Sequence, residues 1–138
     1  MKSKFSFNKI TNRFLVTGLI FLIFSLISAC GGSNSSPEGA VDIYLSCAAD
    51  QDVECMMKSF DPKSMEQAGV KDKMQTMLQA SLEQSKGKGE VLKSWDILES
   101  KVDGDQASVK VKMNFENGES KEDKVKVQQV DGKWYIVL

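Results

Sequence analysis

Ala107-Ser108-Val109-Lys110-Val111-Lys112-Met113-Asn114-Phe115 alternates at every step. Ala107, Val109, Val111, Met113 and Phe115 point one way, and Ser108, Lys110, Lys112 and Asn114 point the other. Successive side chains of a strand leave opposite faces, so this run predicts a strand with one apolar and one polar face. Outward from it, the chain from Glu90 to Leu138 stays β-branched and alternating. It is punctuated by Asp103-Gly104, Asn117-Gly118 and Asp131-Gly132. Three Asx-Gly turns between alternating runs predict a four-stranded antiparallel meander.

The register follows from keeping apolar side chains on one face, because a slip of one residue moves them all. A two-residue loop at Asn117-Gly118 sets Val111 opposite Lys124 and mixes the faces. A three-residue loop, with Gly118 left-handed in a bulge, pairs Val109 and Val111 with the face of Val125 and Val127. At Asp131-Gly132 a two-residue loop pairs Val127 with Ile136, Val125 with Leu138 and Gln129 with Trp134. The first turn leaves two readings open: Trp95 and Ile97 facing inward, or Leu92 and Leu98.

Upstream the period changes. Ser36 is placed to cap a helix with Pro37 at its first position. Ala40, Val41, Tyr44, Leu45 and Ala48 then recur at helical spacing over residues 37–49. Asp52 is placed to cap a second, short helix carrying Met56 and Phe60. Asp61-Pro62 repeats the device, and Gly69 ends that piece. Val70, Met74, Met77, Leu78 and Leu82 mark an amphipathic helix of about 16 residues, stopped by Gly87-Lys88-Gly89. Helices followed by a one-faced antiparallel sheet predict an α+β domain with the helices on the apolar face.

Several motifs occur in a telling order: Ser36-Pro37-Glu38 opening a helix, Val102-Asp103-Gly104-Asp105-Gln106-Ala107-Ser108-Val109, Asn117-Gly118, and Asp131-Gly132-Lys133-Trp134-Tyr135-Ile136. Together they resemble the bacterial lipoprotein family called domain of unknown function 4878, some members of which carry a lumazine-binding label. The family sits in the cone-shaped superfamily of nuclear transport factor 2 and ketosteroid isomerase, and the resemblance covers nearly all of residues 36–138. It implies a curved four-stranded sheet with helices across it, as in cystatin-like cones. Enzymes of that superfamily place an Asp, Tyr or His inside the cavity. Asp42, Tyr44 and Asp96 are the inward polar candidates here, and a buried Asp with a raised pKa can serve as a general base. No residue supports lumazine as a ligand, and Cys47 and Cys55 match no pattern of the family.

The N-terminus reads as an address. Lys2, Lys4, Lys9 and Arg13 precede an uncharged run of 16 residues from Phe14 to Ala29. A basic region, an apolar region and a small-residue exit predict a secretory signal peptide, and the run is shorter than the roughly 20 residues a spanning helix needs. Leu26-Ile27-Ser28-Ala29-Cys30 resembles the lipobox of bacterial lipoproteins. That resemblance implies an S-diacylglycerol, N-acylated Cys30, with residues 1–29 removed. Residues 30–36, the lipidated cysteine and Gly31-Gly32-Ser33-Asn34-Ser35-Ser36, are expected to form a flexible tether, and residues 37–138 a single cone-like domain. Gly31 is not the Asp that retains lipoproteins at the inner membrane of two-membrane bacteria. A cell with an outer membrane is therefore expected to place this protein there, facing the periplasm.

Composition excludes several classes. Four of the 18 basic residues and none of the 19 acids precede Cys30, which leaves 14 lysines and a net charge of about −5. There is no His anywhere, and Arg13 is the sole arginine. Imidazole acid–base chemistry, His metal ligation and guanidinium clamps are thereby removed, and nucleic acid is not an expected partner. No catalytic residue, metal or cofactor is expected. Asp50-Gln51-Asp52-Val53-Glu54 has the alternating acids of a calcium loop, but Cys55 stands where such a loop needs Gly. Gly87 and Gly89 follow a helix rather than a strand, which is wrong for a phosphate cradle.

Cys47 and Cys55 are expected to form a disulfide outside the cytosol. On one unbroken helix they would lie about 12 Å apart, too far to bridge. A turn at Asp50-Gln51-Asp52 must therefore fold one short helix back on the other. Two buried thiols and a redox pair are the alternatives, the latter without Cys-x-x-Cys spacing. On the polar sheet face, Lys110, Lys112, Lys124 and Lys126 fall together. They form either a basic stripe toward anionic lipid or an acidic partner, or a solvated face balanced by Glu116, Glu119, Glu122 and Asp123. The functional expectation is a membrane-anchored, non-enzymatic binding domain for a small apolar ligand or an envelope protein, held between sheet and helices. The alternatives are an interaction or inhibitor protein docking through its sheet face, and a small acid–base enzyme using a cavity carboxylate.

Overall fold

A computed structural model of the chain describes residues 33–137. Helices come first: α1 Pro37–Ala49, α2 Val53–Met57, α3 Pro62–Met65 and α4 Val70–Gly87. Strands β1 Leu92–Asp103, β2 Gln106–Phe115, β3 Ser120–Val130 and β4 Lys133–Val137 then form one antiparallel sheet in chain order. This is the α+β architecture expected of the sequence. The expected signal segment, Cys30, Gly31-Gly32 and the expected pairing of Leu138 lie outside the described residues.

Each helix start has a local cause. The Ser36 hydroxyl accepts from the Gly39 N–H at 3.1 Å, and Pro37 occupies the first helical position. Helix α1 stops where Gln51 turns left-handed, with φ of 58°, and the Asp52 N–H reaches back to the Cys47 carbonyl at 2.9 Å. The Asp52 carboxylate then caps α2 by accepting from the Cys55 N–H at 2.9 Å. This fold-back at Asp50-Gln51-Asp52 brings the Cα atoms of Cys47 and Cys55 to 5.4 Å, and the two form a disulfide. Asp61 caps α3 through the N–H groups of Lys63 and Ser64. Phe60, expected inside the second helix, lies beyond it and bridges Ile136 of β4 in parallel.

The turns set the register of the sheet. Asp131 and Gly132 both have positive φ, 51° and 79°, as a two-residue turn matched to strand twist requires. Val127 accordingly faces Ile136, and Gln129 faces Trp134. At the second turn the Phe115 N–H meets the Glu119 carbonyl, and Gly118 has φ of 86°. The loop thus has three residues and sets Val109 opposite Val125. The first hairpin settles what the sequence leaves open. Strand β1 skips one residue at Lys93 and one at Leu98. Each skip resets the alternation, so Leu92, Trp95 and Ile97 share the inner face, and Leu98 is thrown outward, 46% exposed.

Helix α1 packs across all four strands, whereas α4 packs chiefly on α2 and α3. The expectation that the helices as a group cover the sheet is thus met by α1, with α4 forming a further layer. Val41, Val109, Val111 and Val127 are fully buried between α1 and the sheet. The free edge of β4 is also covered. The Trp134 N–H donates to the Asn34 carbonyl at 2.7 Å, and the Ile136 N–H donates to the Ser59 carbonyl at 2.8 Å. Ser33–Ser36, expected to belong to a free tether, is therefore docked onto the domain.

Two outcomes are expected. A Cβ on Gly39 would run into the Ser33 carbonyl oxygen, so Gly39→Ala should displace residues 33–35 and speed hydrogen exchange at the Trp134 amide, with the far amide of Val109 unaffected. Reduction of the Cys47–Cys55 bridge should add two hydrogens to the mass and lower stability by roughly 2–3 kcal/mol, measured by denaturant unfolding with and without reductant.

Candidate functional site

The space between α1 and the sheet, where a ligand was expected, is filled by the buried valines together with Leu45, Phe60, Trp134 and Ile136. The three polar candidates are not brought together there. Asp42 is half-buried, and its Oδ1 accepts from the Trp95 indole N–H at 2.9 Å, tying α1 to β1. Tyr44 stands edge-on to Phe60, with ring centroids 5.9 Å apart at 82°. Burial pushes the Tyr44 phenol above its ordinary value, so it stays neutral at physiological pH. Asp96 is not inward: it lies on the outer face opposite Lys112 and is exposed. The skips at Lys93 and Leu98 decide that outcome, because they put Trp95 and Ile97 on the inner face.

The four lysines do gather on the outer face. Lys110 stands directly opposite Lys124, Lys126 opposite Ser108, and Lys112 opposite Glu122. The stripe is not bare, however. Lys110 Nζ pairs with Glu122 at 2.6 Å; this holds the lysine above and the glutamate below their ordinary pKa ranges, the direct hydrogen bond being the main cause. Lys110 also faces Glu99, and Lys112 faces Asp96, across the β1–β2 ladder. The face is a patchwork of both signs.

Open space lies elsewhere. A cleft of about 870 Å³ opens between α2, α3 and the start of α4. Met57, Phe60, Pro62 and Met65 supply its apolar lining, and Glu54, Lys58, Glu66 and Lys71 stand around them. Sequence reasoning missed it, because a cleft between two short helices and the start of a third has no periodic signature. The usable signal was the methionines at Met57 and Met65 in two short capped helices, since unbranched thioethers suit irregular apolar surfaces. The acids of Asp50-Gln51-Asp52-Val53-Glu54 are drawn into the turn, with Asp52 spent as the cap of α2. Among the described residues no group of three or more His, Cys, Asp or Glu is placed to hold a metal ion.

The family model described as domain of unknown function (DUF4878) matches residues 28–137. No curated protein matches the chain. Among solved structures, a Campylobacter jejuni protein provisionally named an NTF2-like transpeptidase superposes with a TM-score of 0.62 at 18% identity, over 75% of this chain and 99% of that one. A SEC-C motif containing protein from Rhodopseudomonas palustris superposes with a TM-score of 0.54 at 16% identity, over 77% of this chain and 78% of that one. Likeness at such identities speaks to the fold alone. The chain belongs to the family called domain of unknown function 4878, on a nuclear transport factor 2-like fold.

Proposed function

We propose that this is a lipid-anchored envelope protein, held by an acylated Cys30, whose non-catalytic domain binds a small apolar ligand or an apolar protein segment in the cleft between α2, α3 and α4. The cleft itself carries the reading: an open space of ligand size, lined by Met57, Phe60, Pro62 and Met65. The lipid anchor rests on the basic, apolar and Leu26-Ile27-Ser28-Ala29-Cys30 succession. No helix among the described residues is long and apolar enough to cross a membrane. The residue after Cys30, Gly31, favours the periplasmic face of an outer membrane where the cell has one.

Three features support a non-catalytic domain. The sequence has no histidine, Cys47 and Cys55 are tied to each other, and Asp42 is occupied by the Trp95 indole. Docking through the sheet face is the weaker alternative, because Lys110 is already neutralised by Glu122.

The test is made on the full chain. Cys30→Ser should abolish processing and membrane retention while leaving the circular dichroism spectrum unchanged. Anilinonaphthalene sulfonate should brighten on the native protein and lose that response in Met65→Glu. An equal response in a folded Met65→Glu protein would remove the cleft from consideration. Asp42→Asn, which still offers the indole an acceptor oxygen, should unfold within a few degrees of the native protein. Asp42→Ala should lose about 1–3 kcal/mol by stranding the indole N–H, as measured by urea unfolding.

A further inference from the structure

The folded domain begins very soon after Cys30. Asn34 is already pinned to β4 by the 2.7 Å hydrogen bond from the Trp134 N–H. Only Gly31, Gly32 and Ser33 intervene, and an extended chain gains at most about 3.6 Å per residue, so Cys30 lies within about 14 Å of Asn34. Resting on the lipidated Cys30 of the preceding reading, we infer that the anchored domain is held against the bilayer by its β4 corner. Lipid headgroups then meet the Asp131-Gly132 turn, Lys133 and the connection at Lys58.

The chemistry of the corner suits headgroup phosphates. Among the described residues, exposed Lys58 and Lys133 make no ion pair. Two of the acids near them have partners in the protein: Asp131 bonds Lys63 at 2.8 Å, and Asp61 accepts from the backbone at the start of α3. The docked Ser33–Ser36 segment acts as a short, fixed arm, so the orientation is set by covalent reach rather than by charge, in a domain that is acidic overall.

The two tryptophans provide a ruler for this arrangement. Trp134 sits at the anchored corner, on β4 opposite Gln129, whose N–H bonds the Asp105 carbonyl at the start of β2. Trp95 sits on β1, opposite Met113 near the end of β2. Eight residues of strand separate the two levels, about 26 Å, and three strand spacings, about 14 Å, separate the two edges. The tryptophans are therefore at opposite corners of the sheet.

The experiment uses the full-length lipidated protein in phosphatidylcholine vesicles carrying a headgroup nitroxide, with each tryptophan isolated by Trp95→Phe or Trp134→Phe. Trp134 emission should be quenched severalfold more than Trp95 emission. Inserting about ten Gly/Ser residues after Gly32 should bring Trp134 quenching down toward the Trp95 level, because an arm with a root-mean-square reach of about 20 Å leaves the domain free to turn. Since Trp134→Phe removes a core side chain, the same contrast is also read without substitution: the nitroxide should broaden the Gly132 amide signal more than that of Gly118 at the far end. Equal quenching and equal broadening, as for a domain lying flat on its sheet, would overturn the inference. So would quenching of Trp134 that ignores the longer arm. If intact mass shows no lipid on Cys30, both the anchor and this orientation fall; if the lipid is present and the corners are quenched alike, the orientation alone falls.

Discussion

Helix Pro37–Ala49 laid across the inner face of the sheet is the contact on which the rest depends. A four-stranded meander with one apolar face must bury that face against another element. Val41 of the helix meets Val109, Val111 and Val127 of the two central strands, and all four are fully buried. Each such side chain contributes about 1.5–3 kcal/mol when taken from water. The helix ends then gain their positions from this contact. Its start is tied to β4 through Asn34, and its end folds back through Gln51 into the Cys47–Cys55 bridge. Its middle is tied to β1 through Asp42 and Trp95.

An open sheet has two edges, and the chain treats them differently. Beside β4, the Asn34 and Ser59 carbonyls accept the N–H groups that would otherwise invite another strand. Strand β1 has no such cover among the described hydrogen bonds. It is instead interrupted at Lys93 and Leu98, which bends and twists it away from a flat template. Near its start, Glu90 bonds Lys121 of β3 at 2.6 Å, and the same lysine lies over the Phe115 ring at 5.4 Å. The pair holds Glu90 below its ordinary carboxylate range, mainly through the direct hydrogen bond. Exposed pairs of this kind contribute little stability in water; their value here is to fix where the strand enters the sheet.

The interior between α1 and the sheet is filled by its own side chains. Among the described residues, the cleft made by α2, α3 and the start of α4 lies outside that interior and has an apolar lining. Of these, α2 and α3 are short helices carried by caps at Asp52 and Asp61. They sit next to β4, where the chain enters from its N-terminal side.

Much of the fold was legible in the residues themselves. Alternation in Ala107–Phe115 identified the strand and its faces, the Asx-Gly pairs located the turns, and the Ser36-Pro37 and Asp61-Pro62 pairs located helix starts. These are local signals, set by the backbone geometry of a few adjacent residues. The registers at Gly118 and Asp131-Gly132 were also legible, because only one register keeps the apolar residues together. The first hairpin was not: a skipped residue leaves no mark in the alternation of a strand whose inner and outer positions are both part apolar. Nor did periodicity reveal that Asp42 is taken by an indole 53 residues away, that α4 packs on other helices, or that Ser33–Ser36 is docked. Each of these depends on which surfaces meet across the fold. The sequence by itself determined the elements and their order, because each is set by a few adjacent residues. The tertiary structure alone decided that the cone is full, that an open cleft lies between α2, α3 and the start of α4, and that the chain is pinned within four residues of its proposed anchor, because each depends on surfaces that meet across the fold.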